Sequence, residues 1–115
     1  MVEKILIERR KKIYQDIKEV FGEKNQIIQL MEECAELIQA SNKYIRYPTE
    51  SSRTKDFAEE IGDVEIMLEQ MKTYYPFLKE KIETSKKKKL LKINRKVNKI
   101  RKETEKIGKI WKNTN

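Results

Sequence analysis

The residue types and spacings that could carry chemistry in this sequence are four carboxylates in two short stretches, Glu32-Glu33-Cys34-Ala35-Glu36 and Glu59-Glu60-Ile61-Gly62-Asp63. Within each stretch two acids stand three residues apart inside an apolar, helix-periodic run, Glu33 with Glu36 and Glu60 with Asp63. Positions i and i+3 share one face of a helix, with Cβ atoms roughly 5–6 Å apart. Four such groups on the inward faces of adjacent helices repel one another and are costly to desolvate unless something positive lies between them. The sequence contains no His, and carboxylate oxygens alone suit a hard divalent cation such as magnesium, manganese or calcium. Glu32 points along a different azimuth. It reads equally as an exposed side chain, a partner of a metal ligand or a base acting on water.

The elements that must position these acids are helices. A chain of 115 residues is too short for two independent cores. With 40% charged residues, 3 Gly and 2 Pro, its composition favours long helices with narrow apolar stripes. The first helix is expected from about Glu3 to Phe21, ending near Gly22. A second runs from Asn25, read as its N-cap, to Tyr44 or Tyr47. Its apolar side is broad enough to be covered on more than one flank. Pro48 to Arg53 carries turn residues and is expected to be a surface loop. A third helix spans about Thr54 to Tyr74, with Gly62 read as leaving room for a ligand or a close helix neighbour, or as a glycine the helix merely tolerates. Beyond Pro76, residues from Phe77 to about Trp111 form one long helix or two in sequence. The fold expected is all-α, a bundle of four main helices with a long basic C-terminal helix, completed by oligomerisation. Residues 1–97 form the helical domain, and residues 98–115 a basic extension whose sparse stripe has coiled-coil or amphipathic spacing, expected either to pair with another chain or to fray in solution.

Charge is unevenly distributed. Residues 1–84 carry 14 Lys/Arg against 17 Asp/Glu, a net −3, whereas residues 85–115 carry 13 against 2, a net +11. The basic part either meets a polyanion or handles the anionic portion of a substrate shared with the acids. Cys34 has no second cysteine to pair with, and with no His as a base it reads as a small core residue. No apolar run resembles a signal peptide or a membrane span, so a soluble, cytoplasmic protein with no membrane partner is expected.

The words EECAEL and EEIGDVEIMLEQM, separated by 23 residues between Glu36 and Glu60, carry a resemblance. Together they are similar to the E-x-x-E plus E-x-x-D signature of the MazG-like, all-α nucleoside triphosphate pyrophosphohydrolases. The similarity covers about Asn25 to Met71 and extends more loosely to Val97. It implies hydrolysis of a (deoxy)nucleoside triphosphate to the monophosphate and pyrophosphate, by a homodimer or homotetramer. It also implies magnesium, with manganese as the alternative ion, held by Glu33, Glu36, Glu60 and Asp63. Glu33 or Glu36 would take the proton of the attacking water. Similar proteins bind the phosphates from the helix after the second motif, which here offers Lys89, Lys92 and Arg95. Gln26, beside Asn25, matches a polar position near the base.

Two other readings differ in class. In one, a small basic nucleic-acid-binding or regulatory protein keeps a non-catalytic MazG-like core and uses residues 85–115 on phosphates. Its single tail aromatic, Trp111, and the lack of a base-reading motif make nucleic acid the less favoured partner. The other is a scaffold of helices without a ligand, which leaves four inward carboxylates without a reason.

Overall fold

The computed structural model describes residues 1–115 as four helices: α1 (Val2–Phe21), α2 (Glu23–Arg46), α3 (Ser51–Tyr74) and α4 (Leu78–Thr114). There is no strand, as the composition implies. The chain divides into two compact units, Met1–Pro76 and Phe77–Asn115. The boundary falls at the proline that separates α3 from α4, and α4 runs through residue 97 without a break.

The helix ends follow from local chemistry. Gly22 adopts φ 87°, which a residue without Cβ reaches at no steric cost, and its N–H donates to the Lys18 carbonyl at 2.8 Å to close α1. Asn25 does not cap α2 as expected. The helix begins two residues earlier, and the Asn25 Nδ2 donates to the Phe21 carbonyl at 2.7 Å, satisfying an end of α1 instead. The connection between α2 and α3 is also shorter than the turn residues suggest. Only residues 47–50 lie outside helix. Ser51, Ser52 and Arg53 form the first turn of α3, where Arg53 Nε meets the preceding Glu50 Oε2 at 3.3 Å.

Within the first unit α2 and α3 are the principal packed pair, and the short connection turns them antiparallel. Near that turn the Tyr44 and Phe57 rings stack, with centroids 4.8 Å apart. At the other end α3 is tied to α1. Tyr74 is buried, and its hydroxyl donates to the Tyr14 carbonyl at 2.6 Å, with the Gln70 amide oxygen 3.0 Å away. Tyr14 is buried too and bonds to Glu69, and its hydroxyl is held above the usual phenol range by burial first and by that acidic partner second. Changing Tyr74 to Phe strands this network and is expected to destabilise the unit by about 1 kcal/mol. Thermal unfolding of the variant should then show a midpoint about 4–8 °C lower.

The core is thin. Tyr14, Ala40, Met67 and Tyr74 are its buried apolar members, and no side chain is fully enclosed. One flank of α2 packs on α3. On the other, Met31, Ile38 and Ile45 recur at seven-residue intervals and are 66%, 69% and 75% exposed, matching the expectation of a helix with a second apolar flank. Cys34 is partly buried and unpaired.

Gly62 does not serve a close helix neighbour. It borders an open groove of about 440 Å³ between α1 and α3, and a Cβ built on it meets nothing within 4 Å. Gly62→Ala should therefore be accepted and should stabilise α3 by up to about 1 kcal/mol through helix propensity. A lowered melting temperature in that variant would show that something needs the space.

Candidate metal centre

The antiparallel α2–α3 pair brings the two acidic words to one level. Oxygens of Glu33, Glu36 and Glu60 come within 4.8 Å of one another. Helix periodicity alone places Glu33 beside Glu36, whereas the approach of Glu60 depends on packing between helices. Asp63, the fourth expected ligand, is exposed and lies outside that trio, although its charge bears on Glu60.

Two features fit these residues to a cation. Glu33 Oε2 and Glu60 Oε2 are both buried from solvent and neither has a hydrogen-bond partner. A buried anionic oxygen without a donor costs free energy, and an ion bound by both would remove that cost. Glu33 Oε1, by contrast, accepts from Gln29 Nε2 at 2.9 Å. Gln29 thus fixes the rotation of the Glu33 carboxylate about one turn away, leaving the other oxygen free for a ligand. The donor set is entirely oxygen, which suits magnesium or manganese rather than a thiophilic metal.

The electrostatics point the same way. The Glu60 carboxyl titrates above the ordinary carboxylate range, first because burial disfavours its charge, then because Glu36, Asp63 and Glu33 repel it. Glu36 is close enough to share a hydrogen bond with it. Without a cation the Glu60 carboxyl gives up its proton less readily than a free one.

Beside the trio lies a polar groove of about 360 Å³ lined by Glu36, Gln39, Ala40, Lys43, Asp56 and Glu60. Ala40 is its small, buried floor. Asp56 and Lys43 were not singled out by motif reasoning. Both could have been, since Asp56 stands one helical turn before Glu60 and Lys43 stands two turns after Glu36 on the same face. The groove therefore has an acidic wall continuous with the trio and one ammonium group facing it.

Comparison with known protein families, with characterised proteins and with solved structures returned no match to this chain. The chemistry of the site accordingly rests on its own residues.

The remaining sequence candidates fall elsewhere. Gln26 is 7% exposed near the start of α2, so its side chain belongs to the packed interior of the first unit. Lys89, Lys92 and Arg95 are exposed on α4, in the second unit. No helix of the chain is long and apolar enough to cross a membrane.

Proposed function

We propose that this chain hydrolyses nucleoside triphosphates to the monophosphate and pyrophosphate with a divalent cation, magnesium or manganese, bound by Glu33, Glu36 and Glu60. The observation that carries the reading is the pair of buried, unpartnered oxygens, Glu33 Oε2 and Glu60 Oε2, within a carboxylate trio beside a polar groove. When bound, the ion supplies charge neutralisation for the polyphosphate and a lowered pKa for water. Gln29 holds Glu33 in orientation, and Ala40 leaves room for substrate in the groove. Lys43 offers an ammonium to an anionic group there, as a point charge rather than a bidentate fork. Asp63, the fourth proposed ligand, lies outside the trio and adds negative charge beside Glu60. Glu36, which borders both trio and groove, is the better placed of the two base candidates to accept a water proton.

The test is a nucleotide panel with the product identified. Magnesium-dependent release of pyrophosphate supports the reading, and orthophosphate release or no turnover of any nucleotide counts against it. The exposed apolar flank of α2 supports the expectation of a homodimer or a dimer of dimers. The net +11 of residues 85–115 supports a second reading, in which they bind nucleic acid. That reading predicts salt-sensitive binding to DNA or RNA that survives Glu36→Gln and disappears when residues 98–115 are deleted.

A further inference from the structure

The longest element of the chain is also the least covered. α4 holds 37 residues in one unbroken helix, and every residue from 83 to 115 is exposed. A solitary helix of this kind gains little from propensity alone. From Leu90 on, its apolar residues other than Leu91 and Ile110 nevertheless recur in a 3-4 pattern. Leu90, Val97, Thr104 and Trp111 are separated by seven residues, and so are Ile93, Ile100 and Ile107, three residues on from the first three. These are the a and d positions of three successive heptads. The apolar members of the seam are 40–67% exposed. Its one polar member, Thr104, already donates its hydroxyl to the Ile100 carbonyl at 2.9 Å, so covering it leaves no unpaired donor.

We propose that α4 pairs with α4 of a second copy of this chain, as an antiparallel two-stranded coiled coil centred between Val97 and Ile100. The spacing argues for a helix partner. A seam repeating every 3.5 residues drifts by about 20° per heptad on a straight helix, and a left-handed supercoil keeps it facing a similar seam. Covering it on both copies removes on the order of 1,200–1,500 Å² from water, the size of a specific interface.

Charge selects the orientation. In a parallel, in-register pair the residue before each a position faces the residue after the next d position of the other helix, which sets Lys96 against Arg101 of the second copy, twice. In the antiparallel pair Val97 packs against Ile100 of the second copy, Leu90 against Ile107, and Ile93 against Thr104. Lys96 then lies beside Glu103 of the second copy on both sides, and Arg101 beside Asn94. Lys96 thereby exchanges a like-charge neighbour for an opposite-charge one, and Arg101 exchanges a like-charge neighbour for a neutral one. Lys92, Lys99, Lys102, Lys106 and Lys109 stand away from the seam, and Lys89, before Leu90, flanks it beside Ile110 of the second copy. Their mutual repulsion weakens the pairing at low ionic strength, so salt should tighten it. Binding of the same helix to a polyanion has the opposite dependence.

The experiment uses the full chain with Cys34→Ser, so that an introduced cysteine is the only thiol. Chains carrying Val97→Cys are mixed with chains carrying Ile100→Cys and oxidised gently. The expected result is a Val97–Ile100 mixed disulfide exceeding either self-linked product about fivefold or more, with a yield that rises between 0.05 and 0.5 M salt. Self-linking of Val97→Cys as the main product indicates a parallel pair and overturns the orientation. The absence of any cross-link overturns the pairing. As a second readout, sedimentation of Val97→Glu/Ile100→Glu, with all other residues native, should give about half the mass of the unaltered chain at the same helical content. An unchanged mass also overturns the proposal. So does an Ile100→Cys thiol that becomes protected from alkylation only when duplex RNA or anionic vesicles are added. Both readouts are independent of nucleotide hydrolysis.

Discussion

Glu36→Gln should reduce magnesium-dependent pyrophosphate release by on the order of 100-fold or more, the scale on which misplacing a reacting group is felt. The substitution keeps the shape of the side chain and removes its charge. Glu36 sits where the trio meets the groove, so this one change weakens the hold on the ion and removes the nearest proton acceptor. The fold should not suffer, because Glu36 is exposed and its neighbours are like-charged. Circular dichroism should match the unaltered chain, and without divalent ions the melting temperature at neutral pH should be no lower, since one repelling charge beside Glu60 is gone. Glu32→Gln is the control, since Glu32 lies outside the trio and is also exposed. Full activity in Glu36→Gln would remove the site assignment, and an equal loss in Glu32→Gln would show that general acidity near α2, rather than the trio, is being measured.

The second large effect is on stability and its dependence on pH. The Glu60 carboxyl titrates above its ordinary value of 4.5 in the folded state, chiefly through burial and then through Glu36, Asp63 and Glu33. Across the window from 4.5 up to the raised value the folded chain holds a proton that the unfolded chain has released. Stability should therefore fall as pH rises through that window and level off above it. Without divalent ions, melting temperature followed from pH 4.5 to 8 should decline. Magnesium should reverse the decline at neutral pH, because an ion bound only by the folded chain stabilises it by about 2.7 kcal/mol at a hundredfold excess over its Kd. Glu60→Gln should lose both responses, melting higher than the parent at neutral pH without the ion and ignoring its addition. If the variant keeps the magnesium shift, the ion binds elsewhere. If it keeps the pH slope, another group sets it.

How much of this was legible beforehand differs from element to element. The helices were written in local chemistry. Gly22 and Pro76 interrupt the chain where the backbone must turn, and the apolar residues between them recur with helical spacing. Their ends were less legible. Whether Asn25 caps the helix it begins or closes the one behind it depends on where Phe21 lies. The first turn of α3 was obscured because Ser51, Ser52 and Arg53 suit a loop and a helix start equally well.

The sequence by itself determined that Glu33 lies beside Glu36 and Glu60 near Asp63, since helical periodicity requires no partner. It also placed a sparse apolar stripe in the basic tail, with its spacing open between coiled-coil and amphipathic. Only tertiary structure decided that Glu60 joins the first pair while Asp63 stays at the edge, that Glu33 Oε2 is buried without a partner, and that Lys43 and Asp56 face the same groove. These facts depend on the rotation and level of α3 against α2. That registry is set by the Tyr44–Phe57 stack, the four-residue connection and the Tyr74 tie to α1, contacts between residues distant along the chain that no repeat or spacing encodes.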